Sequence, residues 1–165
     1  MESSVIAGWS DFFVAAAGAA AALAGLAFVS ISINLARIIE LPGVAGRAGE
    51  AIILLSGTLA GCLVALIPHQ TREQLGVGLL LAALPTWAVP TGIQIGSIAS
   101  RTYYRALHAL IRGVLLQVAT LPAIWAALAL LGVLPGGITV YAIAAILSML
   151  VAMYTAWVLL IEILR

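Results

Sequence analysis

The chain has 165 residues, of which 64% are hydrophobic and only 8% are charged. Seven Arg and six acidic residues leave a formal net charge of +1, and Lys is absent. The lack of a lysine amine excludes Schiff-base chemistry with retinal or pyridoxal phosphate, and we expect no nucleic-acid partner.

Four stretches contain no Asp, Glu, Lys or Arg: Phe12–Ala36, Ala51–Thr71, Gln74–Ser100 and Gly113–Ile161. A bilayer core of about 30 Å is crossed by roughly 20 apolar helical residues. The last stretch is long enough for two crossings and contains a turn signal at Gly132–Gly137. The pattern predicts an all-α, polytopic membrane helix bundle in one domain; the alternative has four spans and one re-entrant run. The five predicted spans are 9–35, 48–67, 73–98, 109–131 and 138–163.

Span one has small residues on one helical face, at Gly18, Ala22 and Gly25. Small residues at such spacing allow two helix backbones to approach closely in lipid. One interpretation is a homo-oligomer interface, and the other is packing against a helix of the same chain.

Span three begins with polar residues. Thr71 and Gln74 have the spacing of a capping box, which satisfies free N–H groups at a helix start. His69 and Glu73 are one turn apart and could share a metal, but two ligands are too few for a site. We therefore expect a helix cap here and no metal site.

Farther along span three, Pro85 and Pro90 each remove a backbone hydrogen bond, so the sequence predicts a kinked or broken helix near the bilayer midplane. Broken helices at that depth can line a substrate site, whereas a simple kink improves packing. Polar or helix-breaking residues also recur at three- and four-residue intervals and form one stripe. The stripe consists of Thr86, Pro90, Gln94, Ser97 and Arg101.

Other spans place polar side chains at a similar predicted depth. Together with Gln94, the residues Asn34, Gln117 and Thr155 are predicted to form one layer in the inner leaflet. These groups could hydrogen-bond between helices, at about 0.6 kcal/mol per pair, or line a water-filled vestibule.

The only cluster of basic residues lies between spans three and four, in the predicted amphipathic stretch 100–112. Arg101, Arg105, His108 and Arg112 share one helical face. This face could bind anionic lipid headgroups at the inner surface of the bilayer. Alternatively, it could form a ring of positive charge at the mouth of an oligomeric pore.

The distribution of Arg also predicts the orientation of the chain. Five spans place six of the seven Arg on one side, which is cytoplasmic by the positive-inside rule. We therefore expect the N-terminus outside and the C-terminus inside, in a bacterial inner (plasma) membrane.

Residues that carry catalysis are not assembled at any one predicted depth. We expect no enzyme activity, no cofactor and no proton coupling, because Asp11, Glu50, Glu73 and Glu162 are predicted near span ends. Two hypotheses remain. The first is a homo-oligomeric ion channel or passive conduction pathway with the stripe on span three. The second is a non-catalytic membrane adaptor or structural subunit of a larger complex.

Overall fold

A computed structural model describes residues 6, 8–41, 43–99 and 106–164, including all side chains except those of 98–99, 106–108 and 162–164. Within these ranges the fold is entirely helical, without a β-strand. The helices in chain order are α1 (Ser10–Ile33), α2 (Leu35–Glu40), α3 (Val44–Leu66), α4 (Arg72–Ala99), α5 (Ala106–Leu130) and α6 (Ile138–Leu164).

All helices except α2 are long and apolar enough to cross a membrane, and these five match the five predicted spans. The short helix α2 was not predicted. Gly43 follows it with a φ of +80°, and this left-handed backbone starts α3 four residues before the predicted boundary. The described part of the stretch 100–112 belongs to α5, which begins at Ala106.

The five long helices alternate in direction, so the bundle has two ends. At one end, called here the Arg112 end, α3 and α5 begin and α4 ends, which brings Arg112 and Gln94 to Glu50. At the other, called the Tyr141 end, α1 and α6 begin, and the rings of Phe13 and Tyr141 are 5.9 Å apart. Helix α3 is central and packs against α1, α4 and α6, while α5 packs against α4 and α6.

Helix α4 runs without interruption through Pro85 and Pro90. Of the two predicted alternatives, the broken helix is therefore wrong, and the kinked helix stays a prediction. Neighbouring helices support α4 at this point, since Pro90 is fully buried and Thr86 packs against α3. Proline is tolerated in membrane helices where neighbours and side chains compensate for the lost hydrogen bond.

The capping box at the start of α4 is confirmed. The backbone N–H of Thr71 donates to Gln74 Oε1 at 3.0 Å, and the N–H of Gln74 donates to Thr71 Oγ1 at 3.2 Å. Both groups would otherwise lack a partner at a helix start. Among the described residues, no group of three or more metal-ligating side chains comes together here or elsewhere.

Glycines in α3 bring neighbouring helices close to its backbone. A Cβ atom at Gly57 would overlap the side chain of Thr86 on α4, and one at Gly61 would overlap the hydroxyl of Tyr141 on α6. Because lipid tails supply no hydrophobic drive between helices, such close packing is a main source of association. Tyr141 is buried against α3, with 4% of its surface exposed.

Candidate functional site

A buried ion pair joins α3 to α5 near the Arg112 end. Glu50 is 3% exposed and the side chain of Arg112 is 15% exposed. Arg112 donates from Nε to Glu50 Oε2 at 2.9 Å and from its second nitrogen, Nη2, to Glu50 Oε1, which makes the contact bidentate. Gln94 on α4 adds a longer donor contact, 3.4 Å from its Nε2 to Glu50 Oε2. One carboxylate thus connects three helices.

The pair places two charges inside an apolar bundle, which is costly unless both are hydrogen-bonded. Glu50 lies about 9 Å along α3 from Val44, and Arg112 lies at the same distance along α5 from Ala106, at a rise of 1.5 Å per residue. The sequence analysis placed Glu50 near a span end but missed its partner. Opposite charges at equal depth in two helices that start at the same end are the signal that could have found the pair.

A second polar cluster lies between α4 and α5, one to two turns farther into the bundle. Trp87 Nε1 donates to Gln117 Oε1 at 2.8 Å, and Gln117 Nε2 makes a contact of 3.5 Å with Thr91 Oγ1. All three side chains are partly buried. The predicted role of Gln117 as a hydrogen-bonding group between helices agrees with this arrangement.

The described part of the predicted stripe on α4 faces α3 within the same protomer. Thr86 donates to its own helix and packs on α3, Pro90 is buried, and Gln94 reaches Glu50. Ser97 donates to the carbonyl of Gln94 at 2.7 Å. Arg101, the last member, lies outside the described residues.

The predicted layer of amides and hydroxyls does not form one cluster. Asn34 donates from Nδ2 to the carbonyl of Ser30 at 2.9 Å, and Thr155 donates to the carbonyl of Val151 at 2.8 Å. Both residues therefore satisfy their donors within their own helices. Of the four residues in the predicted layer, only Gln94 and Gln117 contact polar side chains of another helix.

Of the basic face, only Arg112 has a described side chain, and it is held by Glu50. Arg105 lies outside the described residues. His108 lies in α5, but its side chain is not among those described. The structure therefore gives Arg112 a partner inside the bundle, and binding of lipid headgroups by the rest of the face stays a prediction.

The small-residue face of α1 points away from the bundle. Gly18, Ala22 and Gly25 are exposed, and a Cβ atom at either glycine would meet nothing within 4 Å. Ala15 and Ala19 extend the same exposed surface. Helix α1 instead packs inward through its other side, around Phe13 and Ala20. Within the described ranges no helix of the same chain packs against this face, contrary to one of the two interpretations.

A second outward face of small residues lies on α4. Ala88, Gly92 and Gly96 recur every four residues and are exposed. A Cβ atom at Gly92 or Gly96 would likewise meet nothing within 4 Å. The two glycines form a GxxxG motif, which favours close association of membrane helices. This motif was not predicted, because it lies on the side of α4 opposite the polar stripe; the four-residue spacing of its glycines is the signal that could have found it.

The fold and these surfaces define a class: the chain is a helical bundle whose five apolar helices indicate a multi-pass membrane protein. Comparisons with protein-family models, with curated proteins and with solved structures found no match to this chain.

Proposed function

We propose that this protein is a non-catalytic membrane subunit that acts by associating laterally with other transmembrane helices. The observation that carries the proposal is the pair of outward small-residue faces, on α1 and on α4, where glycines meet nothing within 4 Å. Glycine costs a helix about 1 kcal/mol relative to alanine. On an exposed helix face this cost is offset only where the backbone of another helix packs closely against the glycines.

The inward stripe of α4 also favours this function over a pore shared between copies of the chain. A shared axis lined by span three would need Thr86 and Gln94 on the outside of the protomer. Both contact α3 instead. The outward side of α4 carries small apolar residues, which suit helix contact and offer no polar lining.

For the α4 face we propose a second copy of the chain. Two copies in one membrane share their orientation, so α4 meets α4 in parallel across a two-fold axis along the membrane normal. Parallel pairs of GxxxG helices cross closely at glycine. This contact is the form that we propose for the predicted homo-oligomer.

The test of the α4 contact measures stoichiometry by single-molecule photobleaching in lipid bilayers. Wild type is expected to be dimeric, and Gly92→Leu/Gly96→Leu to be monomeric, because two leucines hold the backbones apart. Ala60→Leu is the matched control, since Ala60 is an exposed small residue on α3. A wild type that is monomeric at every protein density would refute self-association, as would a double variant that stays dimeric.

For the α1 face we propose a transmembrane helix of a different membrane protein. The test is affinity capture from native membranes, comparing wild type with Gly18→Leu/Gly25→Leu and the control Ala60→Leu. We expect a companion membrane protein that is present with wild type and with the control and is lost with the α1 variant. A homogeneous complex that contains only this chain would contradict the proposal.

The buried ion pair favours a second candidate, a gated passive pathway through the interior of the protomer. Ionisable residues inside membrane bundles commonly mark ion or solute pathways. In this case the Glu50–Arg112 pair closes the pathway at the Arg112 end of the bundle. The variant Glu50→Gln/Arg112→Gln removes both charges and should open the pathway more readily. Planar-bilayer recording in anion and cation gradients tests it, and a silent wild type together with a silent double variant would remove the candidate.

The remaining sequence expectations fit either candidate and stay proposals. These are an N-terminus outside and a C-terminus inside, a bacterial inner membrane, and anionic lipid headgroups near Arg101 and Arg105. The absence of enzyme activity is likewise proposed.

A further inference from the structure

A small, partly open gap lies near the middle of the bundle, where α3, α4, α5 and α6 meet. Its volume is about 20 Å³, and each of these helices contributes at least one residue with a hydroxyl group to its lining. The lining hydroxyl residues are Thr58 on α3, Thr86 on α4, Thr120 on α5, and Tyr141 and Ser148 on α6. Five hydroxyls around one gap are unusual in a bundle otherwise packed with alanine and leucine.

Four of these hydroxyls use their proton elsewhere. Thr58, Thr86 and Thr120 each donate to the carbonyl four residues earlier in their own helix, at 2.7 to 2.8 Å. Ser148 donates across to the carbonyl of Ala119 on α5 at 2.7 Å. A hydroxyl oxygen has two acceptor positions besides its proton. The gap is therefore rich in acceptors and short of donors.

The fifth hydroxyl, that of Tyr141, has the opposite need. The residue is 4% exposed, and in the described part of the chain its hydroxyl takes part in no hydrogen bond. It lies against Gly61, one helical turn from Gly57 and Thr58, which border the gap. A hydroxyl that makes no hydrogen bond within the protein can donate its proton to a small polar ligand.

We propose that the gap binds one water molecule. The water accepts the proton of the Tyr141 hydroxyl and donates to two of the threonine or serine oxygens. A water molecule needs a polar site with a volume of at least about 10–15 Å³ and two to four partners. The gap is large enough for one water and too small for a chain of them.

This water provides an acceptor for the Tyr141 hydroxyl and donors for two of the other four hydroxyl oxygens. It links four helices near Gly57, where the side chain of Thr86 on α4 packs directly on the backbone of α3. The site is intrinsic to the protomer. It stands whether the protein is an assembly subunit or a gated pathway, so its test is independent of both.

The test is X-ray radiolytic labelling of the protein in lipid nanodiscs prepared in oxygen-18 water. Bound water near an aromatic ring yields hydroxyl radicals in place, and the ring gains labelled oxygen. We expect label on Tyr141 and none on Phe13, whose ring is 5.9 Å away and whose surface is fully buried. Equal, background-level labelling of the two rings would overturn the proposal.

A pair of variants makes the result specific to the lining hydroxyls. Thr58→Val/Thr120→Val keeps the shape of the gap and removes two acceptors, so the label on Tyr141 is expected to fall to the level of Phe13. Thr155→Val is the control, because its hydroxyl bonds within α6 in the same way but does not line the gap. Undiminished label in the double variant would also overturn the site. Should that variant not fold, Ser148→Ala provides the same comparison with one acceptor removed.

Discussion

The two sides of α4 differ in the kind of residues they carry and in what those residues contact. Its inward side carries Thr86, Pro90 and Gln94, and these pack on α3. Its outward side carries Gly92 and Gly96, with nothing near them. On α4 the polar side chains thus face protein partners, where their hydrogen bonds can be made. The exposed glycines of the same helix face out of the bundle.

This difference separates two functions that one helix could serve. The inward side holds the protomer together and, through Gln94, contacts the buried carboxylate of Glu50 on α3. The outward side offers a surface to another helix. Variants of the inward side should therefore change the stability of the protomer, whereas variants of the outward side should change association and leave the protomer folded.

The largest effect is expected from breaking the ion pair that anchors the inward side. Arg112→Leu leaves the Glu50 charge uncompensated and should lower the free energy of unfolding by about 3–5 kcal/mol. The measurement is unfolding by SDS in mixed micelles, followed by tryptophan fluorescence. Glu50→Leu/Arg112→Leu should recover most of the loss, because no buried charge remains. A double variant as unstable as Arg112→Leu would show that the two charges do not act as a pair.

The next effect concerns the contact between α4 and α3. Gly57→Ala places a methyl group on the side chain of Thr86, and such overpacking should cost about 1–3 kcal/mol. Gly57→Ala/Thr86→Gly should restore stability, because it removes Thr86 Oγ1, Cγ2 and Cβ, all of which lie within 2.8 Å of the new methyl group. Gly18→Ala is the control, since its methyl group meets nothing within 4 Å. Equal destabilisation by the two single glycine variants would contradict the predicted contact.

On the outward side, Gly92→Ala should have opposite effects on two measurements. Alanine favours the helix by about 1 kcal/mol, so the monomer in detergent should unfold at slightly higher SDS concentration. In lipid the same methyl group should weaken the α4–α4 contact and lower the dimer fraction at fixed protein density. A stabilised protomer with unchanged association would remove α4 as the contact surface.

The smallest effect is expected between α4 and α5. Trp87→Phe removes the donor to Gln117 and should cost about 0.6 kcal/mol, the average for hydrogen bonds between membrane helices. Trp125→Phe, which removes a bond to the carbonyl of Pro135 in a loop, is the comparison. A loss of several kcal/mol on Trp87→Phe would mean that this cluster supports the ion pair beside it.

The sequence by itself determined that there are five spans, approximately where they lie, and how α4 is capped. Each of these depends on local properties: the length of an apolar run, a turn signal, or a side chain three residues from a backbone N–H. Charge-free runs also predicted an all-α bundle, and the described ranges are helical without a strand. The short helix α2 was not predicted, because six residues are too few to show a helical periodicity in the sequence.

Only the tertiary structure decided which way each face points. A helical stripe is equally regular whether it faces a neighbour, lipid or a shared axis, so Gln94 and Gly18 could not be oriented from spacing alone. Their directions depend on which helices pack together: α4 turns Gln94 to Glu50, and α1 turns Gly18 outward. The pairing of Glu50 with Arg112 has the same origin, because residues 62 positions apart meet only when their helices are placed side by side.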